Sequence, residues 1–286
     1  MEFSYRMKAK IKHLIICLVA CLTQAGVGAP AGEVSPAVAV VLGSDAAAQT
    51  FAERSRALAG LGKDLDAVDV GALLDYLGAG DDSLHVGRVA ALKNDIMNAL
   101  RLQREFPQEF VPRVAAIFNA RVVDETSLDY CIQHLGASQS QTTNVAHQVM
   151  IRDTIRRASL EPAKSWSGTA LIAMNGSRNS SDSDEAFSKE RALKIAADPK
   201  AHEAARISAF QLCGENGFAE ALPLLRDALA SNAASISLKT VAIGALGLIG
   251  DESDAAMLKA MLESNPPPRL VPALKGAVEK MGDVSF

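Results

Sequence analysis

The chain has 286 residues, 49% of them hydrophobic and 22% charged, which describes an ordinary folded protein rather than a disordered or fibrous one. A formal net charge of −4 argues against a nucleic-acid partner, which would favour a basic face. Aromatic residues are only 5% of the chain, so the core must be built from Ala, Leu, Val and Ile, a composition suited to closely packed helices.

Residues 1–31 read as a secretory signal peptide. Arg6, Lys8, Lys10 and Lys12 form a basic start, Leu14 to Leu22 a short apolar run, and Ala29-Pro30-Ala31 a small-x-small cleavage site. The apolar run is too short to span a bilayer, and no later stretch reaches the ~20 apolar residues a transmembrane helix needs. A competing reading takes Leu18-Val19-Ala20-Cys21 as a lipoprotein signal, with Cys21 lipidated and the protein anchored to a membrane. Removing residues 1–31 takes away four basic residues and one acidic one, deepening the formal charge from −4 to −7. Cys131 and Cys213 would then be the remaining cysteines, expected as separate buried thiols and not as a disulfide framework.

Residues 32–45 are expected to form an irregular lead-in, and residues 46–174 a series of divergent helical repeats. Apolar residues at helical spacing mark "DAVDVGALLDYLGAG" (66–80), "SLHVGRVAALKNDIMNALRLQ" (83–103), "EFVPRVAAIFNA" (109–120), "TSLDYCIQHLGAS" (126–138, closing at Gly136), "NVAHQVMIRDTIRRASL" (144–160) and "WSGTALIAM" (166–174). The polar run "NGSRNSSDSDE" (175–185) is expected to be a loop, and two glycosylation sequons fall within it.

Residues 186–286 repeat. "ARISAFQLCGENGFAEALPLLRDAL" (205–229) aligns with "LKTVAIGALGLIGDESDAAMLKAML" (238–262), so that Gly214 matches Gly247 and Gly217 matches Gly250, and a truncated third copy ends at Gly282. Two helical patterns per period of 30–40 residues mark an α-solenoid. Gly250 is expected in the left-handed conformation after its helix, and Asp251 as the cap of the next. Gly247 is expected to allow a close helix approach. The fold class is therefore all-α: a solenoid of six or seven stacked antiparallel helix pairs. "ALGLIGD" (245–251) and "LCGENGF" (212–218) resemble HEAT and HEAT-like repeats. "ALKNDIMNALRLQ" with "DYCIQHL" resembles exported HEAT-repeat proteins of unknown function. That resemblance implies a superhelix presenting a protein-binding surface. One branch of the family is similar to the bilin lyases, though no residue beyond the repeat points to bilin chemistry.

Candidate chemistry is sparse. The glycines of 244–250 run G-x-x-G-x-x-G inside a helix, unlike the G-x-G-x-x-G of a dinucleotide site or the Lys-Ser/Thr ending of a P-loop. Cys131 and His134, with His147 further on, fall short of a metal site's ligand count, so no metal or other cofactor is expected. His134 is expected to be hydrogen-bonded between helices. No nucleophile motif is present, and the chain is read as non-catalytic. Candidate binding-surface residues are Asn94, Asn98 and Arg101 along one helix, Gln133 and His134 on another, and Arg152 with Arg156 one turn apart on a third. The last two suit either pairing with acids on adjacent helices or docking of a small anion or acidic peptide. The expected function is a protein-binding scaffold outside the cytoplasm, with a protein or peptide partner. The alternatives are an accessory subunit of an exported enzyme or envelope complex, and a lyase-type or metal-hydrolase enzyme.

Overall fold

The computed structural model describes residues 32–44, 50–176 and 182–282. The expected signal peptide, Cys21 and most of the sequon-bearing run lie outside these residues. Among the described residues there are fourteen α-helices, one short 3-10 turn and no strand. In chain order the helices are α1 (Pro36–Leu42), α2 (Phe51–Ala59), α3 (Ala67–Gly78), α4 (Val86–Arg101), α5 (Phe110–Ala120), α6 (Glu125–Ser138) and α7 (Val145–Ser159). They continue as α8 (Trp166–Asn175), α9 (Asp182–Ala197), α10 (Glu203–Glu215), α11 (Leu222–Ala230), α12 (Ile236–Ile249), α13 (Glu252–Glu263) and α14 (Val271–Gly282).

The helices stack in two rows. The even-numbered ones, α2 to α14, each pack on the next even-numbered helix, and between them run the odd-numbered ones. This is an α-solenoid. Side chains at the starts set the helix boundaries: Asp66, Asp124, Asn144, Ser235 and Asp251 each accept a hydrogen bond from a backbone N–H of the first turn. Asp251 and Asp254 complete a reciprocal capping box.

Four successive junctions of the even row share one device. A Cβ built on Gly136 of α6 would stand 2.6 Å from Ala173 Cβ of α8, and one on Gly168 of α8 would stand 2.8 Å from Ala205 Cα of α10. Gly214 of α10 would meet Ala245 Cα of α12 at 2.8 Å, and Gly247 of α12 would meet Ala277 Cα of α14 at 2.8 Å. Each glycine is therefore the hollow into which the next helix's alanine fits.

Four expectations need correction. Residues 36–42 are helical, not irregular: Ser35 caps α1, Pro36 occupies its first turn, and Gly43 ends it at φ 72°. Val38 and Val41 of α1 are fully buried, and the buried Arg54 of α2 ties the helix down by donating from Nε to Val41 O at 2.7 Å and from Nη1 to Asp81 Oδ2 at 2.7 Å. Burial opposes the ionised Asp81, but hydrogen bonds from Ser83, Tyr76 and Arg54 outweigh it and hold its pKa at about 2. Next, α6 runs through Gly136 to Ser138, and α9 starts at Asp182 within the expected loop. Asp182, Asp184 and Glu185 in the first turn of α9 favour that earlier start. Finally, Gly250 is not left-handed. It is extended at φ −71°, ψ 165°, and a Cβ there would lie 2.5 Å from Leu246 O, so close approach to its own helix end favours glycine. Its counterpart Gly217 does take the positive φ, 69°.

The glycine hollows make a direct prediction. Gly214→Ala and Gly247→Ala force backbone apart and should each cost roughly 1–3 kcal/mol. Gly244→Ala, on the exposed face of the same helix with nothing within 4 Å, should instead gain about 0.5–1 kcal/mol from helix propensity. Urea unfolding midpoints read both signs.

Candidate functional site

The candidate residues read from the sequence fall into four places. Asn94 and Arg101 of α4 meet His134 of α6 as an internal clasp. Arg101 Nη1 approaches His134 Nδ1 at 3.4 Å and His134 Nε2 approaches Asn94 Oδ1 at 3.0 Å, which fits a neutral imidazole protonated on Nε2. Arg101 also donates from Nε to Gln141 Oε1 at 2.9 Å and from Nη2 to Ala137 O at 3.2 Å, and Gln141 returns a bond to Arg101 O at 2.9 Å. His134 is buried, and desolvation together with the Arg101 charge pushes its pKa down to about 4. These three side chains hold helices together. Asn98 is separate, on the wall of a 350 Å³ recess with Ser55, Lys63, Asp95 and Gln103. Gln133 is exposed elsewhere on α6.

Arg152 and Arg156 lie in the larger opening, a groove of about 630 Å³ among α6, α7, α8 and the start of α9. Its floor carries Gly136, whose hollow receives Ala173. Val145, Val149, Ile155 and Met174 give it apolar walls, and Gln139, Ser140 and Gln148 a polar edge. Val145 is 70% exposed and Val149 38%, so these apolar walls stand open to solvent. Asp184 of α9 reaches both arginines, with contacts of 3.1 Å to Arg156 and 3.9 Å to Arg152.

The groove lies where two hydrophobic cores meet. The first includes Trp166 and Ala170 of α8, the second begins with Leu171 of the same helix, and Met174 packs on both. Helical spacing alone could mark Arg152 and Arg156. It could not reveal that Val145 and Val149 stay exposed beside them, nor that Asp184, on another helix, meets them.

No group of three or more His, Cys, Asp or Glu side chains among the described residues is placed to hold a metal ion. Cys131 and Cys213 are buried free thiols, and desolvation pushes both pKa values up to about 12, so neither is a ready nucleophile. No described helix is long and apolar enough to cross a membrane.

A family model for HEAT repeats matches residues 190–274, spanning α10 to α13 and parts of both neighbours. This segment is built of HEAT repeats. The same glycine–alanine approach seen at Gly214 and Gly247 occurs at Gly168 and Gly136, upstream of the matched segment. A solved structure of human deoxyhypusine hydroxylase in complex with glycerol is similar at 16% identity and a TM-score of 0.36, over 86% of this chain and 96% of that one. A likeness at that level does not extend to activity. No curated protein matches the chain.

The buried clasp sets a pH dependence. The unfolded His134 binds its proton near the ordinary imidazole value, 6.5, whereas the folded one does so only near 4. Between those values the unfolded state holds more protons, so stability falls as pH is lowered from about 6.5 to 4, by on the order of 2–3 kcal/mol, and levels off below. In His134→Gln the urea midpoint should depend less on pH across that window than in the parent protein.

Proposed function

We propose that the protein is a non-catalytic HEAT-repeat scaffold that acts after export and binds a protein or peptide partner in the groove lined by Val145, Val149, Met174, Arg152 and Arg156. The observation that carries this reading is the groove itself: exposed apolar walls next to two guanidinium groups, where the two cores meet. Apolar walls supply binding energy and a few placed polar groups supply orientation. HEAT repeats suit this role because stacking leaves a long continuous surface. The described lining includes apolar side chains, side-chain amides and guanidinium groups, a set suited to gripping a peptide.

Two measurements test the proposal. A photo-crosslinking amino acid at position 149 should give an adduct of defined mass in cells, absent from the same probe at the exposed Leu248 and lost when Val145→Asn is added. Adducts of equal yield from both positions would remove the groove reading. Mass spectrometry of the purified protein should find a mature N-terminus near Gly32, or a lipidated Cys21; an intact N-terminus at Met1 would sink the export claim.

A further inference from the structure

The two arginines of the groove are held differently. Arg156 is fixed from α9: its Nη1 donates to Asp184 Oδ1 at 3.1 Å, and its guanidinium lies 4.2 Å from the centre of the Phe187 ring. Arg152, one turn earlier, comes only within 3.9 Å of Asp184, beyond hydrogen-bond distance. It makes no hydrogen bond among the described residues, and its side chain is 48% exposed. A guanidinium offers five N–H donors in a planar fork matched to a carboxylate. Those of Arg152 are left to solvent on the groove wall, three residues beyond Val149.

Charge complementarity then selects the occupant. Among the described residues the lining carries two guanidinium groups and one carboxylate, that of Asp184, a local positive excess in a chain of net charge −4. A purely apolar segment would strip water from Arg152 and return nothing, a loss for any desolvated charge. A segment with a carboxylate would pair it in the fork geometry. Resting on the groove reading above, we infer that the occupant is an extended segment of a protein partner with one Asp or Glu side chain between apolar residues. The apolar residues lie on Val145, Val149 and Met174. The carboxylate accepts from Arg152 and competes with Asp184 for Arg156, so Asp184 is a built-in competitor that lowers affinity for every acidic segment.

The probes are N-acetylated, C-amidated hexapeptides of Leu, Val and Ser with one central Glu, and a matching set with Gln, titrated into the full chain by isothermal titration calorimetry. The blocked termini leave the side chain as the only carboxylate. The Glu set should bind about tenfold more tightly than the Gln set. Arg152→Gln, which removes no hydrogen bond among the described residues, should erase that preference and leave the Gln set unchanged. Asp184→Asn should strengthen the Glu set about threefold, with thermal melts confirming that each variant is folded. The inference is overturned if neither set binds, if the two bind alike, or if Arg152→Gln leaves the preference intact. Equal binding of both sets that Val145→Asn with Val149→Asn abolishes would remove the carboxylate while keeping the groove as a docking site.

Discussion

The fold rests on contact between bare helix backbones. At Gly136, Gly168, Gly214 and Gly247 there is no space for a single further carbon, because the alanine of the next even-numbered helix already fills it. Glycine inside a helix costs about 1 kcal/mol relative to alanine. The row accepts that cost at four junctions because the approach fixes the spacing and the rotation of each helix on the last. A solenoid has no distant contacts to correct an error of packing, so each junction has to specify its own geometry.

The odd-numbered row is joined by a different chemistry. Arg113 of α5 pairs with Asp75 of α3, Arg156 of α7 with Asp184 of α9, and Arg226 of α11 with Asp254 of α13. The last is a two-pronged contact, Nε to Oδ1 and Nη2 to Oδ2 both at 2.7 Å, with a third bond from Nη2 to Asp251 at 2.9 Å. The Asp254 side chain is 2% exposed, so it is the fork geometry and the capping box that compensate its desolvation. Long side chains reach across distances that glycine and alanine cannot. At these three junctions a charged side chain spans the gap, where four junctions of the even row use backbone contact.

The same contrast explains what could be read from the sequence. The C-terminal repeats were legible because their glycines recur at one spacing and are needed wherever helices touch. Alignment could not distinguish two uses of one residue: Gly217 turns the chain with positive φ, whereas Gly250 is extended and merely avoids Leu246 O. Upstream, the α4–α6 junction replaces the glycine hollow with the Asn94–His134–Arg101 clasp, so the period fades there although the stacking continues. The helical state of residues 36–42 was hidden for a related reason. Seven residues carry little periodicity, and their burial depends on Arg54 and Asp81, which are distant in sequence. In the groove, Arg152 and Arg156 were visible as a spacing, while the exposure of Val145 and Val149 follows from how α6, α8 and α9 lie around α7.

The groove follows from where the two modes of joining meet. At the α6–α8 junction the hollow of Gly136 draws Ala173 in near the ends of both helices, and that contact forms the groove floor. On the other row α7 and α9 are held through the reach of Arg156 to Asp184 and Phe187. A tight floor under a wider wall leaves a volume that neither core fills, and α8, shared by both cores, keeps the floor from sliding. Among the described residues no helix covers Val145 and Val149, and Asp184 lies 3.1 Å from Arg156 but 3.9 Å from Arg152, which leaves a cationic edge. The opening is therefore fixed by the same contacts that stack the repeats, and a partner entering it would meet a site already formed.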